Sequence, residues 1–252
     1  MAYSQFAYFY DKLQSDVDYE GIARFIDAQV SRFGGRKGIL LDMACGTGTL
    51  AECFAKMGYD VIGTDSSNEM LSCALDKKYD SELPIQYLNQ SMTGLDMFGT
   101  IDVTVCTLDS INHLSSLDEI KTAFERVSLF AFPDGMFIFD VNTPYKHKEV
   151  LGSNAFVIDT EGLYCVWQND YNESDGSVNI FLDFFEEQED GKYERYAESF
   201  SEIAFDSQTI EGALAQAGFE ILDRFDDYTD KKPTDTTQRI VYVCKKIADS
   251  AE

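Results

Sequence analysis

Residues 39–50 read ILLDMACGTGTL, a short apolar run closing on Asp42, a loop holding Gly46 and Gly48, and the start of an amphipathic segment. Glycine lets the chain turn sharply and brings backbone N–H groups against a ligand with no Cβ in the way. A helix that begins just past such a turn aims unpaired N–H donors and a partial positive charge at the same spot. Strand, glycine turn and helix in that order open a parallel α/β unit. The turn by itself suits any acceptor-rich group, so its ligand has to be read from the residues around it.

The same pattern continues along the chain. Runs at 59–64 (YDVIGT), 85–88 (IQYL), 101–107 (IDVTVCT) and 135–141 (GMFIFDV) are rich in Ile, Val, Leu and Phe without clean alternation. Strands covered on both faces read this way. Helices are predicted at 49–57, 68–77 and 116–130. In the last, Leu117, Ile120, Ala123, Phe124, Val127 and Phe130 recur at spacings of three and four. Alternating strands and helices imply a parallel sheet with right-handed crossovers. Beyond Asn142, strand-like segments at 163–170, 177–186 and 192–204 are joined by NESDG and EDG, the Asp-Gly turns of hairpins. They predict an antiparallel meander inserted into the α/β domain. A helix over 207–217, with Ser207 as N-cap and Gly218 closing it, leads to returning strands at 219–225 and 239–245. Two helices fill the first thirty-odd residues. The expected organisation is a helical cap over 1–35, an α/β domain over 36–143 and 205–247, and an inserted lid or dimer subdomain over 144–204.

Composition narrows the partners. The 252 residues are 44% apolar and 13% aromatic, enough for a substantial core. Acids outnumber bases 45 to 20, a formal charge of −25 that repels phosphate backbones and anionic membranes. Nucleic acid is therefore disfavoured as a partner. No apolar run approaches the ~20 residues of a membrane span, and the N-terminus lacks a secretory pattern. Six cysteines are scattered without a Cys-x-x-Cys pair, which reads as reduced thiols in a cytoplasmic protein. No metal is expected.

Two acids surround the glycine turn. Read literally, Gly46-Thr47-Gly48-Thr49-Leu50-Ala51 satisfies a dinucleotide-binding pattern, with Asp65 following. Electrostatics argues against NAD. Asp42 stands where a pyrophosphate would lie, and no Lys or Arg occurs from Gly38 to Ala55 to offset it. A carboxylate there suits a ligand bearing an ammonium or sulfonium group. Asp65, at the next strand end, can accept hydrogen bonds from both hydroxyls of a ribose. The plainer alternatives are a helix-terminus charge for Asp42 and, for Asp65, an N-cap of the helix through Met70.

ILLDMACGTGTLA followed by GYDVIGTDSSNEML resembles motif I and the second acidic motif of the Rossmann-like S-adenosylmethionine-dependent methyltransferases. FDVNTPYK, the opening FAYFYDKLQSDVDY and the closing AGF…RIVYVCKK are similar to a subgroup of small bacterial methyltransferases, so the likeness spans nearly the whole chain. It implies a seven-stranded sheet with the last strand antiparallel. By position it places Asp42, Ala44, Gly46 and Thr47 beside the methionine part of the cofactor, Asp65 on the ribose, and Ser66 and Met70 beside adenine. Ser91-Met92 takes the place of the family's Asp-apolar pair, also near adenine. Tyr10 and Tyr19 match the N-terminal segment that closes over the cofactor, with core packing as the alternative. Ala44 stands where the family usually has its first glycine. Subfamilies with Ala there imply that no positive φ is needed.

The substrate side is read from 108–114 (LDSINHL) and 140–145 (DVNTPY), the segments after the fourth and fifth strands. Ligands of open α/β sheets bind outside the carboxyl ends of strands. His113 is a candidate base or a hydrogen-bonded structural histidine; Asn112 and Asn142 orient substrate or satisfy their own turns; Tyr10 is a further candidate. His147, between two lysines, is expected in solvent. Trp167 and Tyr171 either face the pocket as cation-binding rings or serve as ordinary strand residues. Nine acids and two bases between Asp183 and Asp206 make the insertion a surface biased against anionic substrates. The function expected is methyl transfer from S-adenosylmethionine to a small molecule at N or O. A silent cofactor-binding module and, less favoured, an NAD oxidoreductase are the alternatives, and a homodimer through the insertion is open.

Overall fold

The structure, a computed structural model, describes residues 6–247, so the first five residues of the expected N-terminal cap lie outside the described residues. Helices α1 (Phe6–Leu13) and α2 (Tyr19–Arg32) precede β1 (Ile39–Met43), α3 (Thr49–Lys56), β2 (Asp60–Asp65), α4 (Asn68–Ser81) and β3 (Gln86–Asn89). Next come β4 (Ile101–Cys106), α5 (Leu117–Phe130) and β5 (Ala131–Asn142). Four consecutive strands follow, β6 (Ala155–Thr160), β7 (Leu163–Tyr171), β8 (Ser177–Glu187) and β9 (Tyr193–Ile203). The chain returns through α6 (Ser207–Gln216), β10 (Phe219–Asp226) and β11 (Arg239–Lys246).

The main sheet runs β10-β11-β5-β4-β1-β2-β3. β1, β2, β3, β4 and β5 pair in parallel, and β11 is antiparallel to both β5 and β10. This is the expected seven-stranded arrangement. Burial explains the unbroken apolar runs, because all six residues of β4 are buried. One face packs Phe124, Val127, Ile210 and Leu214 of α5 and α6 over Phe137, Phe139 and Tyr242, and the other packs Ile26, Val30 and Phe54 of α2 and α3 over Leu40, Val105 and Ile138. Side-chain caps fix the helix starts: Asp18 for α2, Ser67 for α4 and Ser116 for α5. Each such cap contributes about 1 kcal/mol. For α6 the cap is Asp206, accepting from Thr209 N–H, and Ser207 is the first helical residue. The carboxylate one position earlier takes the capping role from Ser207.

The insertion is a four-stranded antiparallel sheet ordered β6-β7-β8-β9. β6 was not expected. As an edge strand with most of its residues at least partly exposed, it carries no burial alternation for the sequence to report. In β8 the alternation is clear: Val178, Ile180, Leu182 and Phe184 are buried, and Phe9 of α1 stacks on Phe184 at 5.2 Å. Helix α1 therefore packs on the insertion, with Met70 of α4 in the same cluster. A π-helical turn at Lys146–Leu151 links β5 to β6. It buries His147 completely, contrary to the solvated position expected from its lysine neighbours. The wider turn points the imidazole toward Gly176 and Glu202, while Lys146 reaches inward to Asn142 Oδ1 and Lys148 is exposed. Trp167 belongs to strand packing. Its indole N–H donates to Asn169 Oδ1 at 2.6 Å and its ring meets Phe156 edge-on.

Candidate active site

The glycine loop leaves β1 at Asp42 and Met43 and turns through three left-handed residues, Ala44 (φ 59°), Gly46 (φ 54°) and Gly48 (φ 78°). The expectation that Ala44 avoids positive φ is thus corrected; a Cβ there costs about 1–2 kcal/mol of strain. At Gly48 only glycine fits, since a Cβ would come within 2.3 Å of the Tyr87 hydroxyl. Asp65, at the end of β2, fastens this loop. Its Oδ2 accepts Gly46 N–H at 2.9 Å and its Oδ1 accepts Ser67 N–H at 2.8 Å. Ser67, not Asp65, caps α4.

A cavity of about 440 Å³ opens at the carboxyl ends of β1, β2 and β4. Its walls bring together Ala44, Gly46, Asp65, Ser66, Met70, Ser91 and Met92, which the sequence reading assigned to the cofactor, with Tyr10 and His113. Ser110 and Leu114, from the 108–114 segment read as the substrate side, line the same walls, and sequence reasoning missed Phe6, Phe200 and Ser201 there. Phe200 had a signal, because it shares the inward alternation of β9 with Tyr196 and Glu202. A small inner recess adjoins the cavity and is lined by Tyr10, Tyr19, Asp42, Gly46 and Thr47. Ser91 lines the cavity while its Oγ caps the following turn by accepting Gly94 N–H at 3.1 Å.

Asp42 is the telling residue of the recess. It is 2% exposed, and its Oδ2 has no hydrogen-bond partner among the described residues. Burial, reinforced by the charge of Asp65, pushes its carboxyl up to about 7. A buried carboxylate with an open oxygen in a polar recess is matched by a cation brought in by a ligand. Among the described residues, the walls of cavity and recess contain no Lys or Arg. The nearby Lys77 is neutralised by Asp11 at 2.6 Å, and it donates to the hydroxyls of Thr47 and Thr49. Thr47 in turn donates to Asp11 at 2.6 Å, so this network ties α1 to the glycine loop. The residues therefore fit S-adenosylmethionine: Asp42 would hold its ammonium, and Asp65, Ser66, Met70, Ser91 and Met92 would line its nucleoside. They do not fit a diphosphate.

Asn112 and Asn142 lie behind the wall. Asn112 Nδ2 donates to the carbonyls of Asn142 and Ile203, and its Oδ1 accepts Asn142 N–H at 2.8 Å. Asn142 Nδ2 donates to Asp109 and Glu202. Asp140, fully buried, accepts the N–H groups of Leu108 and Asp109, both left-handed, and is also met by Tyr228 and Arg239. Burial raises the Asp140 carboxyl despite the Arg239 charge. For Asp109, burial is outweighed by Arg239 and Lys146, which hold it below the usual range. This network shapes the loop carrying Ser110 and His113.

The chain is similar to known proteins over nearly its whole length. A family model described as "Methyltransferase domain" matches residues 40–135. A provisionally named methyltransferase of Geobacillus sp. (strain WCH70) is 34% identical over 98% of this chain and 100% of its own length. The provisionally named methyltransferase YqeM of Bacillus subtilis (strain 168) is 32% identical over 98% of each chain. The crystal structure of an S-adenosylmethionine-dependent methyltransferase from Clostridium acetobutylicum ATCC 824 superposes with a TM-score of 0.89 at 33% identity, covering 98% of this chain and 99% of that one.

Proposed function

The chain belongs to the S-adenosylmethionine-dependent methyltransferases, and from that membership we propose that it methylates a small neutral or cationic molecule at a nitrogen or oxygen nucleophile. The observation that carries this reading is the absence of Lys and Arg from the described walls, set beside the open oxygen of Asp42. When bound, the cofactor supplies a methyl group on a sulfonium, open to in-line displacement. Asp42 accepts the ammonium and Asp65 the ribose hydroxyls, each still having lone pairs to give. Helix α1 sets Phe6 and Tyr10 over the site and excludes water. His113 takes the proton of a nucleophile that enters protonated. Phe200 and Leu114 complete an apolar wall on the acceptor side.

The test is a metabolite extract split by ion exchange into cationic, neutral and anionic fractions, with S-adenosylhomocysteine release as the readout. Release from the cationic or neutral fraction is expected. Release from the anionic fraction alone overturns the acceptor class, and cofactor binding with no release from any fraction identifies a silent binding module.

The outer face of the insertion exposes Tyr164 and Phe181, and Val157 is exposed on the edge strand. We infer a homodimer through this face, which sedimentation at increasing concentration would reveal; a monomer throughout removes it. All six cysteines are free, which supports a cytoplasmic setting. Among the described residues no helix is long and apolar enough to cross a membrane.

A further inference from the structure

We propose that Glu119 selects the base of the cofactor, by accepting the exocyclic amine of adenine on a carboxylate oxygen that the protein leaves open. The proposal rests on the reading in which the cavity holds S-adenosylmethionine.

The cavity has two ends. At one, Tyr10, Ala44, Gly46, Leu108 and Ser110 line both the cavity and the recess of Asp42, so the amino-acid part of the cofactor belongs there. At the other, the chain leaving β3 crosses to α5. The turn Met92–Gly94 packs on that helix, and Met92 Sδ lies 3.9 Å from Cys106 Sγ at the end of β4. Glu119, on α5, lines the cavity and is no part of the recess, which puts it at this second end.

Other polar side chains of this end are turned to nearby backbone. Gln90 Oε1 accepts Asp96 N–H at 3.0 Å, and its Nε2 donates to Asp96 O at 2.9 Å. Ser91 Oγ accepts Gly94 N–H at 3.1 Å and lies 3.4 Å from Thr93 Oγ1. Glu119 is only half committed. It stands in the first turn of α5, three residues after the N-cap Ser116, where the helix favours a negative charge. Its Oε2 accepts the N–H of Ser115 at 2.7 Å and the Ser115 hydroxyl at 2.8 Å. Its Oε1 accepts nothing among the described residues, and no cation pairs with the carboxylate. One oxygen is thus fixed, and the other is an acceptor the wall has to spare. Adenine carries an amine with two N–H donors on the edge remote from the ribose, and a carboxylate is the strongest acceptor a side chain can offer it. The same charge would repel a base with a carbonyl in place of the amine.

The test compares S-adenosylhomocysteine with S-inosylhomocysteine, which has that carbonyl, by calorimetry on wild type and Glu119→Gln. Wild type should favour the adenine compound about tenfold or more, the worth of one hydrogen bond to a charged group. In the variant, Ser115 N–H and hydroxyl keep the amide oxygen at the Oε2 position, which leaves an NH2 group at the Oε1 position. That group donates to the inosine carbonyl and opposes an amine. The preference for adenine should therefore shrink at least fivefold. A smaller change overturns the proposal, since a merely structural Glu119 would weaken both ligands equally. If Glu119→Gln does not fold, the wild type still decides. With S-adenosylhomocysteine bound, a nuclear Overhauser contact from the adenine amine protons to the Glu119 γ-protons supports the proposal, and its absence overturns it. Binding of neither ligand by wild type sinks the cofactor reading itself, whereas adenine binding with an unmoved preference sinks the Glu119 assignment alone.

Discussion

Asp65 holds Gly46 to the end of β2 by a 2.9 Å hydrogen bond from the loop N–H to the carboxylate. The same side chain takes Ser67 N–H, so one carboxylate sets the shape of the glycine turn and the entry of α4 together. Burial raises this acid, while the N–H groups of Ser67 and Gly46 pull it back. Its neighbour Asp42 has no comparable donors, and the contrast divides the two acids by task. Asp65 is preorganised before any ligand arrives, whereas Asp42, in the function proposed, would take its counter-charge from the cofactor's ammonium.

Replacing Asp65 by Ala should weaken S-adenosylmethionine binding by at least ~1.5 kcal/mol, through loss of charge-assisted hydrogen bonds to the sugar. It should also lower the melting temperature of the unliganded protein, because Gly46 and Ser67 lose their acceptor. Calorimetry and thermal melting read the two effects separately. A lower melting temperature with unchanged affinity would show that Asp65 only shapes the loop.

Asp42 makes cofactor binding depend on pH. Its folded value of about 7 exceeds the ordinary 3.8, so folding retains a proton between those limits. The contribution of this group to stability is therefore fully present below the lower value and is lost as pH rises toward the upper one. Asp42→Asn should stabilise the unliganded protein at pH ~8 by about 2–4 kcal/mol, an amount that vanishes near pH ~4. Binding an ammonium favours the ionised acid, so affinity should rise with pH up to about 7 and proton release should accompany binding below it. Above pH ~8 the ligand's own α-amino group loses its charge and affinity should fall again. Titrations in buffers of different ionisation enthalpy would check the proton count, and a flat affinity from pH ~5 to ~8 would contradict the assignment.

Ala44 sits at φ 59° without the freedom of glycine. Ala44→Gly relieves that strain but loosens the unfolded chain, leaving a net gain of about 0.5–1 kcal/mol. Chemical denaturation would measure it. A loss of stability would mean that the Ala44 methyl makes contacts worth more than the strain.

Much of this architecture is legible in the chain because burial writes itself into residue type. The parallel strands are continuous apolar runs, and α5 carries its stripe from Leu117 to Phe130. The glycine turn and its acids announce a site because Asp42 and Asp65 flank Gly46 and Gly48 with no Lys or Arg from Gly38 to Ala55 to offset the first of them. What escaped is what depends on distant chain. Nothing local to His147 tells that a π-helical turn will bury it. Asn112 and Asn142 look like substrate ligands until the carbonyl of Ile203, 91 residues away, claims the first of them. Glu202 was lost in an acidic run read as a solvated face, although its place in the β9 alternation points inward.

Arg239 is the counter-charge of the buried acids, within 3.5 Å of both Asp140 and Asp109. Arg239→Met should destabilise the protein by about 3–5 kcal/mol, since it strands the fully buried Asp140 without a cation and leaves Asp109 with Lys146 alone. Denaturation of the variant tests this, and a cost below about 1 kcal/mol would show that Tyr228 and the backbone donors suffice.

The amide of Asn112 clamps the last residue of β5 to the last residue of β9, with Asn142 and Glu202 closing the knot. The insertion is thus welded at its root, and a clamshell swing of the whole subdomain about that root would tear several buried bonds at once. Helix α1, which covers the cavity, is fastened to the glycine loop through Asp11, Thr47 and Lys77 and to the insertion through Phe9 stacked on Phe184.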